Sequence, residues 1–173
     1  MVKIKKILVT EEEIQKKLVE MGAAITEDYR GRDLLMIGVL KGAFMVMADL
    51  ARHVDLPVEF DFMAVSSYGA ATKTSGVVRI LKDLDQEIEG RDVLIVEDII
   101  DSGLTLHYLL KNLQVRQPES IEIAALLIKD GIDRPPLEVK YEGFHIPPEF
   151  VIGYGLDYAG KYRNLPYIAV MEE

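Results

Sequence analysis

Short, mainly apolar runs that alternate with helix-like segments are the feature that most limits the fold of this chain. Five runs qualify: Leu34–Val39, Val58–Val65, Val93–Val96, Ile121–Ile128 and Tyr167–Val170. Helical patterns follow two of them, at residues 43–52 and about 103–116. A strand that is apolar on both faces needs cover on both faces, which helices supply in parallel sheets. The pattern therefore predicts an α/β fold with a mainly parallel sheet and helices on both faces.

A further helix is predicted ahead of the first apolar run. Thr10 followed three residues later by Glu13 forms a capping box, and the helix it opens should run to about Tyr29. Near the other end, two proline pairs interrupt the last third, which we expect to form a small substructure over the sheet edge. The length of 173 residues and the 49% hydrophobic content fit one domain spanning residues 1–173.

The composition limits the compartment and the partners. The chain contains no cysteine, which excludes disulfides and thiolate sites, and it has no apolar run long enough to span a membrane and no signal-peptide pattern. We therefore expect a cytoplasmic protein without a membrane partner. The net charge of −9 opposes general attraction to nucleic acid. A small anionic substrate remains compatible, because helix N-termini, a few basic side chains and a divalent cation can hold one.

Polar residues follow three of the apolar runs, at the strand ends where parallel sheets bind ligands. These residues are Lys41-Gly42, Glu97–Thr105 and Lys129-Asp130. A fourth polar stretch, Ser66–Val77, reads SSYGAATKTSGV and has a length that is common in lid loops. The pattern predicts a ligand site at one end of the sheet with a lid beside it.

The segment Val93–Leu106 crowds three carboxylates, Glu97, Asp98 and Asp101, at the end of an apolar run. Such groups repel one another, and burial raises the pKa of each, so the arrangement is most stable when cations or hydroxyl-rich ligands compensate it. Asp101–Thr105 fits a phosphate cradle, in which a glycine turn and the start of a helix present amides and hydroxyls. Carboxylates beside it can accept from ribose hydroxyls and attract Mg²⁺, so the segment predicts a ribose 5-phosphate pocket. A solvated loop and ordinary helix capping are the alternatives.

Two other patterns in the chain are interpreted as coincidental. Gly153-Tyr154-Gly155 followed by Gly160 resembles a dinucleotide-binding fingerprint, but the third glycine is displaced and no helical pattern follows. The run VLIVED resembles the first strand and acidic pair of a receiver domain, but too few residues follow it for such a domain.

The segment Val93–Leu106 resembles the phosphoribosyl pyrophosphate motif of the type I phosphoribosyltransferases, and the chain is similar to the bacterial hypoxanthine-guanine phosphoribosyltransferases. The similarity covers nearly all of the chain in ordered blocks: Gly38–Phe44, Ser66–Gly69, the acidic motif, Leu127–Asp130, Phe150–Tyr158 and Tyr162–Pro166. One departure is Leu104, which stands where some relatives have lysine; we expect little effect, because the cradle consists mostly of backbone amides.

The resemblance implies the fold of that family, with a small base-binding hood and a flexible lid loop, and it implies a reaction. In this reaction Mg²⁺ assists transfer of the 5-phosphoribosyl group from phosphoribosyl pyrophosphate to N9 of hypoxanthine or guanine. The implied phosphoribosyl pyrophosphate ligands are Lys41, Gly42, Ser67, Tyr68, Glu97, Asp98, Asp101, Ser102, Gly103, Leu104, Thr105 and Arg163. The implied purine contacts are Lys129, Phe150, Val151 and Asp157, and the implied metal positions are Glu97, Asp98 and Asp157.

Particular roles follow from the same resemblance. Asp101 is implied to be the general base that takes the purine N7 proton, and Lys129 to donate to the purine 6-oxygen. Phe150 is implied to stack on the purine, and a cis peptide is implied at Leu40-Lys41. Relatives are dimers or tetramers, so we expect a homodimer or homotetramer.

Two alternatives to this activity stay open. One is preference for another base, notably xanthine. The other is a regulatory protein that binds the sugar phosphate and RNA without turnover, which the acidic charge and the presence of both Asp101 and Lys129 disfavour.

Overall fold

The structure is a computed structural model that describes residues 2–67 and 78–172. Tyr68 and most of the predicted lid, Ser66–Val77, lie outside the described residues, as does the side chain of Ser67. In chain order the elements are β1 (Ile4–Val9), α1 (Glu11–Asp28), β2 (Leu34–Leu40), α2 (Phe44–Ala51), β3 (Glu59–Ser67), β4 (Val78–Lys82), β5 (Asp92–Ile100), α3 (Leu104–Gln114), β6 (Ser120–Lys129), β7 (Tyr141–Ile146), β8 (Val151–Ile152) and β9 (Ile168–Met171).

Six strands form the main sheet in the order β4-β3-β2-β5-β6-β7. Strands β3, β2, β5, β6 and β7 are parallel, and β4 pairs antiparallel with β3 at one edge. The predicted mainly parallel sheet is therefore confirmed. The edge strands β4 and β7 were not predicted, because both carry exposed polar residues that break the apolar pattern.

Alternate residues of the central strands face different helices, as a pleated strand requires. Leu34 and Met36 of β2 belong to one core, which includes buried residues of α1 and α2. Leu35 and Ile37 belong to a second core, which α3 completes on the opposite face. The prediction of helices on both faces is confirmed.

Helix α1 begins at the predicted capping box. The Thr10 hydroxyl accepts from the Glu13 amide at 3.2 Å, and the Glu13 carboxylate accepts from the Thr10 amide at 3.1 Å. The helix ends at Asp28, one residue before the predicted end, and Tyr29 is its C-cap. Within the described residues, no helix is both long enough and apolar enough to cross a membrane.

The last apolar run does form a strand, but not in the main sheet. Strand β9 lies between β1 and β8 in a separate three-stranded antiparallel sheet. The apolar pattern indicates that this run is buried, but it does not indicate which strands pair with it. Those strands, β1 and β8, come from the two ends of the chain.

Strand β5 is longer than predicted, and this changes the setting of the acidic residues. The apolar run suggested an end at Val96, with Glu97 and Asp98 in the loop that follows. In the structure β5 continues to Ile100, because pairing with β6 persists from Glu97 opposite Ala125 to Ile100 opposite Ile128. The two carboxylates therefore lie in the sheet itself.

Candidate active site

A cavity of about 200 Å³ lies at the carboxyl ends of β2 and β5, where α3 begins. Its lining contains the following residues: Val39, Leu40, Gly42, Glu97, Asp98, Ile99, Ile100, Asp101, Ser102, Gly103, Thr105 and Leu106. The structure thus brings together the predicted acidic pair, the predicted phosphate cradle and Gly42. By the family resemblance, Lys41 and Gly42 form the loop that binds pyrophosphate, which is called the pyrophosphate loop below.

The acidic pair of Glu97 and Asp98 is costly for the ligand-free fold. Burial raises the pKa of Glu97 well above its usual value, and repulsion from Asp98 raises it further. Burial also raises the pKa of Asp98 to about 6, although the Ile99 amide, 2.7 Å from Oδ1, and the Arg163 guanidinium act in the opposite direction. Two such groups side by side are typical of a site where ligand hydroxyls or a cation stabilise the charged forms.

The acidic pair fits a divalent cation only as a partial ligand set. Among residues 2–67 and 78–172, no three Asp, Glu or His side chains converge on one point, so Asp157 does not join Glu97 and Asp98 in a common cluster. Mg²⁺ usually binds one or two carboxylates and takes its other ligands from water and substrate phosphates. The donor set therefore suits a magnesium ion that arrives with a phosphorylated substrate.

The predicted pyrophosphate loop follows β2. The Leu40-Lys41 peptide is cis, as the resemblance implied, and the Lys41 side chain is exposed. Gly42 packs directly on Asp98, since a Cβ atom at this position would overlap Oδ2 of that residue. The sequence predicted a role for Gly42 at the pyrophosphate, but not this contact with Asp98.

Gly155 lies on the other side of this loop, and the sequence reasoning did not single it out. Its φ is +98°, and a Cβ atom there would overlap the carbonyl oxygen of Gly42. Arg163 donates to the Gly155 carbonyl at 2.6 Å and forms an ion pair with Asp157 at 3.3 Å. Gly155 thus joins Arg163 to the pyrophosphate loop. The glycines on either side of Tyr154 belong to the block Phe150–Tyr158 that carries the family resemblance, but their sequence pattern does not indicate a contact with Gly42.

The predicted phosphate cradle has the expected backbone shape. Gly103 adopts the left-handed conformation, with φ +72°, and helix α3 starts at the next residue. The Ser102 hydroxyl accepts from the Leu104 amide at 3.4 Å. The first turn of a helix offers N–H groups that no carbonyl of the same helix can accept, and its dipole favours anions. The arrangement can hold a phosphate group.

Asp101 and Lys129 are brought together from different strand ends. The Lys129 ammonium lies 3.0 Å from Oδ2 of Asp101. The lysine side chain is only 12% exposed, whereas that of the aspartate is 55% exposed. The pair therefore presents a donor and an acceptor side by side at the mouth of the cavity.

The remaining predicted purine residues lie around the small sheet. Phe150 is 55% exposed, and its ring meets Tyr158 edge-on, with 6.1 Å between ring centroids. Val151 is buried in β8, and the Asp157 carboxylate accepts from the Gly160 amide at 2.8 Å. An exposed aromatic ring held from one side can offer its free face to a flat ligand.

Arg134 is a second residue that the sequence reasoning did not identify. Its guanidinium donates to the carbonyl oxygens of both Asp101 and Lys129. A single arginine in a loop gives no sequence signal for such contacts, because its partners are backbone atoms and one of them is 33 residues away.

Comparison with known proteins connects this geometry to a family. Residues 6–159 match the family model of the phosphoribosyl transferase domain. The hypoxanthine-guanine phosphoribosyltransferase of Bacillus subtilis is 54% identical, over 98% of this chain and 94% of the relative. The enzyme of the same name from Mycobacterium avium is 53% identical, over 98% and 86%.

A solved structure gives the same result. The crystal structure of a hypoxanthine phosphoribosyltransferase from Staphylococcus aureus superposes with a TM-score of 0.95 at 48% identity, covering 98% of this chain and 92% of that one. The chain has the type I phosphoribosyltransferase fold and matches these enzymes over nearly its whole length. It therefore belongs to the phosphoribosyltransferase family, in the branch of the hypoxanthine-guanine phosphoribosyltransferases.

Proposed function

We propose that this protein transfers the 5-phosphoribosyl group of phosphoribosyl pyrophosphate to N9 of hypoxanthine or guanine, giving IMP or GMP and pyrophosphate. The observation that carries the proposal is the cavity in which a buried acidic pair lies beside a phosphate cradle, with the Asp101–Lys129 pair at its mouth. Such a reaction recovers preformed purine bases and serves purine salvage.

The sugar phosphate would bind along the strand ends. The first turn of α3 with Ser102 and Thr105 would hold the 5-phosphate, and Glu97 and Asp98 would accept from the ribose hydroxyls. The pyrophosphate would lie near the loop of Lys41 and Gly42 and near Arg163. These residues are assigned to it because their positive charges and backbone amides suit an anion. Leu104 would contribute its backbone amide.

A magnesium ion would be held by Glu97 and Asp98 together with substrate oxygens, and by Asp157 through water. The ion supplies charge stabilisation for the departing pyrophosphate. The positions of the carboxylates support this assignment, because the buried pair needs a compensating positive charge.

The purine would complete the site. Its N7–H and 6-oxygen present a donor and an acceptor side by side, which complements the acceptor Asp101 and the donor Lys129. Phe150 would stack on the ring, and backbone groups of Val151 and Asp157 would face the 2-position. As the bond from the ribose carbon to pyrophosphate breaks and the bond to N9 forms, Asp101 would take the N7 proton as general base.

Exclusion of water would protect the positively charged ribose carbon. The lid Ser66–Val77, with Ser67 and Tyr68, is assigned to this task from the family resemblance alone, since it lies largely outside the described residues.

The decisive experiment mixes the protein with phosphoribosyl pyrophosphate and Mg²⁺ and measures pyrophosphate release with guanine, hypoxanthine, xanthine or adenine. We expect fast release with guanine and hypoxanthine and almost none with adenine. If kcat/KM is highest with xanthine, xanthine is the preferred base and the proposed preference for hypoxanthine or guanine is wrong. Binding of phosphoribosyl pyrophosphate without release for any base would favour the regulatory alternative.

The organisation of the chain is also part of the proposal. The two sheets share one core, in which Val151, Ile168 and Val170 of the small sheet pack with residues of α1, α2 and β2. This supports a single domain for residues 1–173. The expected homodimer or homotetramer stays a prediction, which light scattering coupled to size-exclusion chromatography measures directly.

A further inference from the structure

Arg134 connects the two residues that we assign to the purine edge. Its Nε donates to the carbonyl oxygen of Asp101 at 3.1 Å, and its second terminal nitrogen donates to the carbonyl oxygen of Lys129. The side chains of Asp101 and Lys129 meet at 3.0 Å. The three residues therefore form a closed arrangement, in which one guanidinium holds both backbones while the two side chains pair.

The loop that carries Arg134 also packs on the phosphate cradle. A Cβ atom at Gly103 would lie 2.7 Å from Cδ1 of Leu137 and 3.7 Å from Cδ of Arg134. The aliphatic part of Arg134 thus covers the turn of the cradle, while its guanidinium reaches the residues on either side. The side chain is half-buried, as this position requires.

A guanidinium suits this task because it is planar and its N–H groups point in fixed directions. Two acceptors that bind one guanidinium are held at a fixed separation. Here the two acceptors belong to the residues that would face N7 and the 6-oxygen of the purine. A change of about 1 Å in such a spacing can lower a rate by roughly 10²-fold.

We infer that Arg134 is a positioning residue that sets the distance between the Asp101 carboxylate and the Lys129 ammonium, and so contributes to the choice of 6-oxopurines over 6-aminopurines. This inference rests on the proposed function. An oxopurine needs both groups at once, whereas adenine gains nothing from the lysine, so loss of the correct spacing harms oxopurines more than adenine.

The test compares Arg134→Gln and Arg134→Lys with the parent. The lysine variant keeps the charge but loses the planar fork. In both variants we expect kcat/KM for guanine to fall by about 10-fold or more, and the guanine-to-adenine ratio to shrink by a similar factor. The dissociation constant of phosphoribosyl pyrophosphate, measured by calorimetry, should change by less than about threefold.

A matched control is Arg116→Gln. Arg116 also contacts two side chains, Asp83 and Asn112, but it follows the C-terminal end of α3, away from the cavity. This control should leave the base ratio unchanged. Because Arg134 lies in a half-exposed loop, both of its variants should unfold within about 5 °C of the parent.

The outcomes distinguish the positioning role of Arg134 from the proposed function of the protein. An active parent whose Arg134 variants keep the guanine-to-adenine ratio overturns the positioning role alone. The positioning role is also overturned if the Arg134 variants lose phosphoribosyl pyrophosphate binding but keep the guanine-to-adenine ratio. Arg134 would then act only on the phosphate cradle. A parent that transfers to no 6-oxopurine overturns the proposed function, and this inference with it.

Discussion

Asp98 and Gly42 are in direct contact across the floor of the cavity. Oδ2 of Asp98 occupies the space in which any side chain at position 42 would begin. The contact joins the acidic pair on β5 to the loop after β2, two segments that lie side by side because β2 and β5 are paired in parallel. The position of the loop that we propose for the pyrophosphate and that of the acid that we propose for the ribose are therefore linked.

Gly42→Ala tests this contact. The added methyl group overlaps Asp98, so one of the two segments must move, and we expect a loss of about 1–3 kcal/mol in the free energy of unfolding. We also expect the affinity for phosphoribosyl pyrophosphate to fall. Urea unfolding and calorimetry measure the two effects. Adding Asp98→Ala to Gly42→Ala removes the overlapping oxygen and should restore part of the lost stability; if it restores none, the steric explanation is wrong.

Asp98 is the partner of Gly42 in this contact, and its raised pKa predicts that a substitution at Asp98 increases stability, whereas Gly42→Ala lowers it. Because folding raises this pKa to about 6, the folded protein holds a proton that the unfolded chain releases. The contribution of Asp98 to stability is therefore most favourable below the unfolded pKa and declines as pH rises through about 6. Asp98→Asn removes this loss, so without ligand it should be more stable than the parent by about 1–3 kcal/mol at pH 8, with a smaller difference at pH 4. Unfolding curves at both pH values check this, and an equal difference at both would contradict it.

Asp92, at the opposite end of the same strand, should show the reverse pH dependence. The hydrogen bonds from Arg32, at 2.6 and 3.1 Å, hold the pKa of Asp92 below its usual value, and Ser120 adds another at 2.6 Å. The stability that this carboxylate contributes is present above its unfolded pKa and is lost as pH falls below it. Asp92→Asn should cost about 1–2 kcal/mol at pH 7 and less at pH 3. Since Asp92 is remote from the cavity, kcat/KM should stay near that of the parent, which the pyrophosphate assay measures.

Asp101→Asn tests the proposed general base. The substitution preserves the shape of the side chain and the backbone carbonyl that accepts from Arg134, but an amide cannot take the N7 proton. We expect the rate of the chemical step to fall by about 10²-fold or more, while phosphoribosyl pyrophosphate still binds. Single-turnover kinetics separates the chemical step from product release. A chemical step that keeps nearly the parent's rate would exclude Asp101 as the base.

The sequence predicted the parts of the fold that depend on local pattern. The buried strands β2, β5 and β6 were visible as apolar runs, and the capping box of Thr10 marked the start of α1. The edge strands were missed because their half-exposed patterns resemble loops. The end of β5 was placed too early because two acids in a buried strand are stable only in a site that compensates them, which is a tertiary property.

The residues of the candidate site also divide into those that local sequence pattern indicates and those that depend on tertiary packing. Glu97, Asp98 and Asp101 could be selected because three carboxylates crowd one segment behind an apolar run, whereas the role of Lys129 was implied by the family resemblance. Arg134 and Gly155 could not, because each acts through backbone atoms of residues that are distant in the sequence. Their importance depends on how the loops pack, and no local pattern encodes this.

Base choice at Lys129 gives the sharpest prediction. An ammonium can only donate, so opposite position 6 it suits the carbonyl oxygen of hypoxanthine or guanine and leaves the amino group of adenine facing another donor. The side chain is only 12% exposed, so water cannot easily relieve that mismatch. A site built around such a buried hydrogen bond can discriminate by about 10⁴-fold.

Lys129→Gln, whose amide both donates and accepts, should therefore lose activity on hypoxanthine and guanine and narrow the gap to adenine. The affinity for phosphoribosyl pyrophosphate should change little, because the lysine contacts Asp101 at the mouth of the cavity and does not line the cradle. The measurement is kcat/KM for each purine with both proteins, and Arg116→Gln again serves as the control. Equal guanine-to-adenine ratios for parent and Lys129→Gln would show that Lys129 does not read position 6, and the purine would then have to be placed elsewhere in the site.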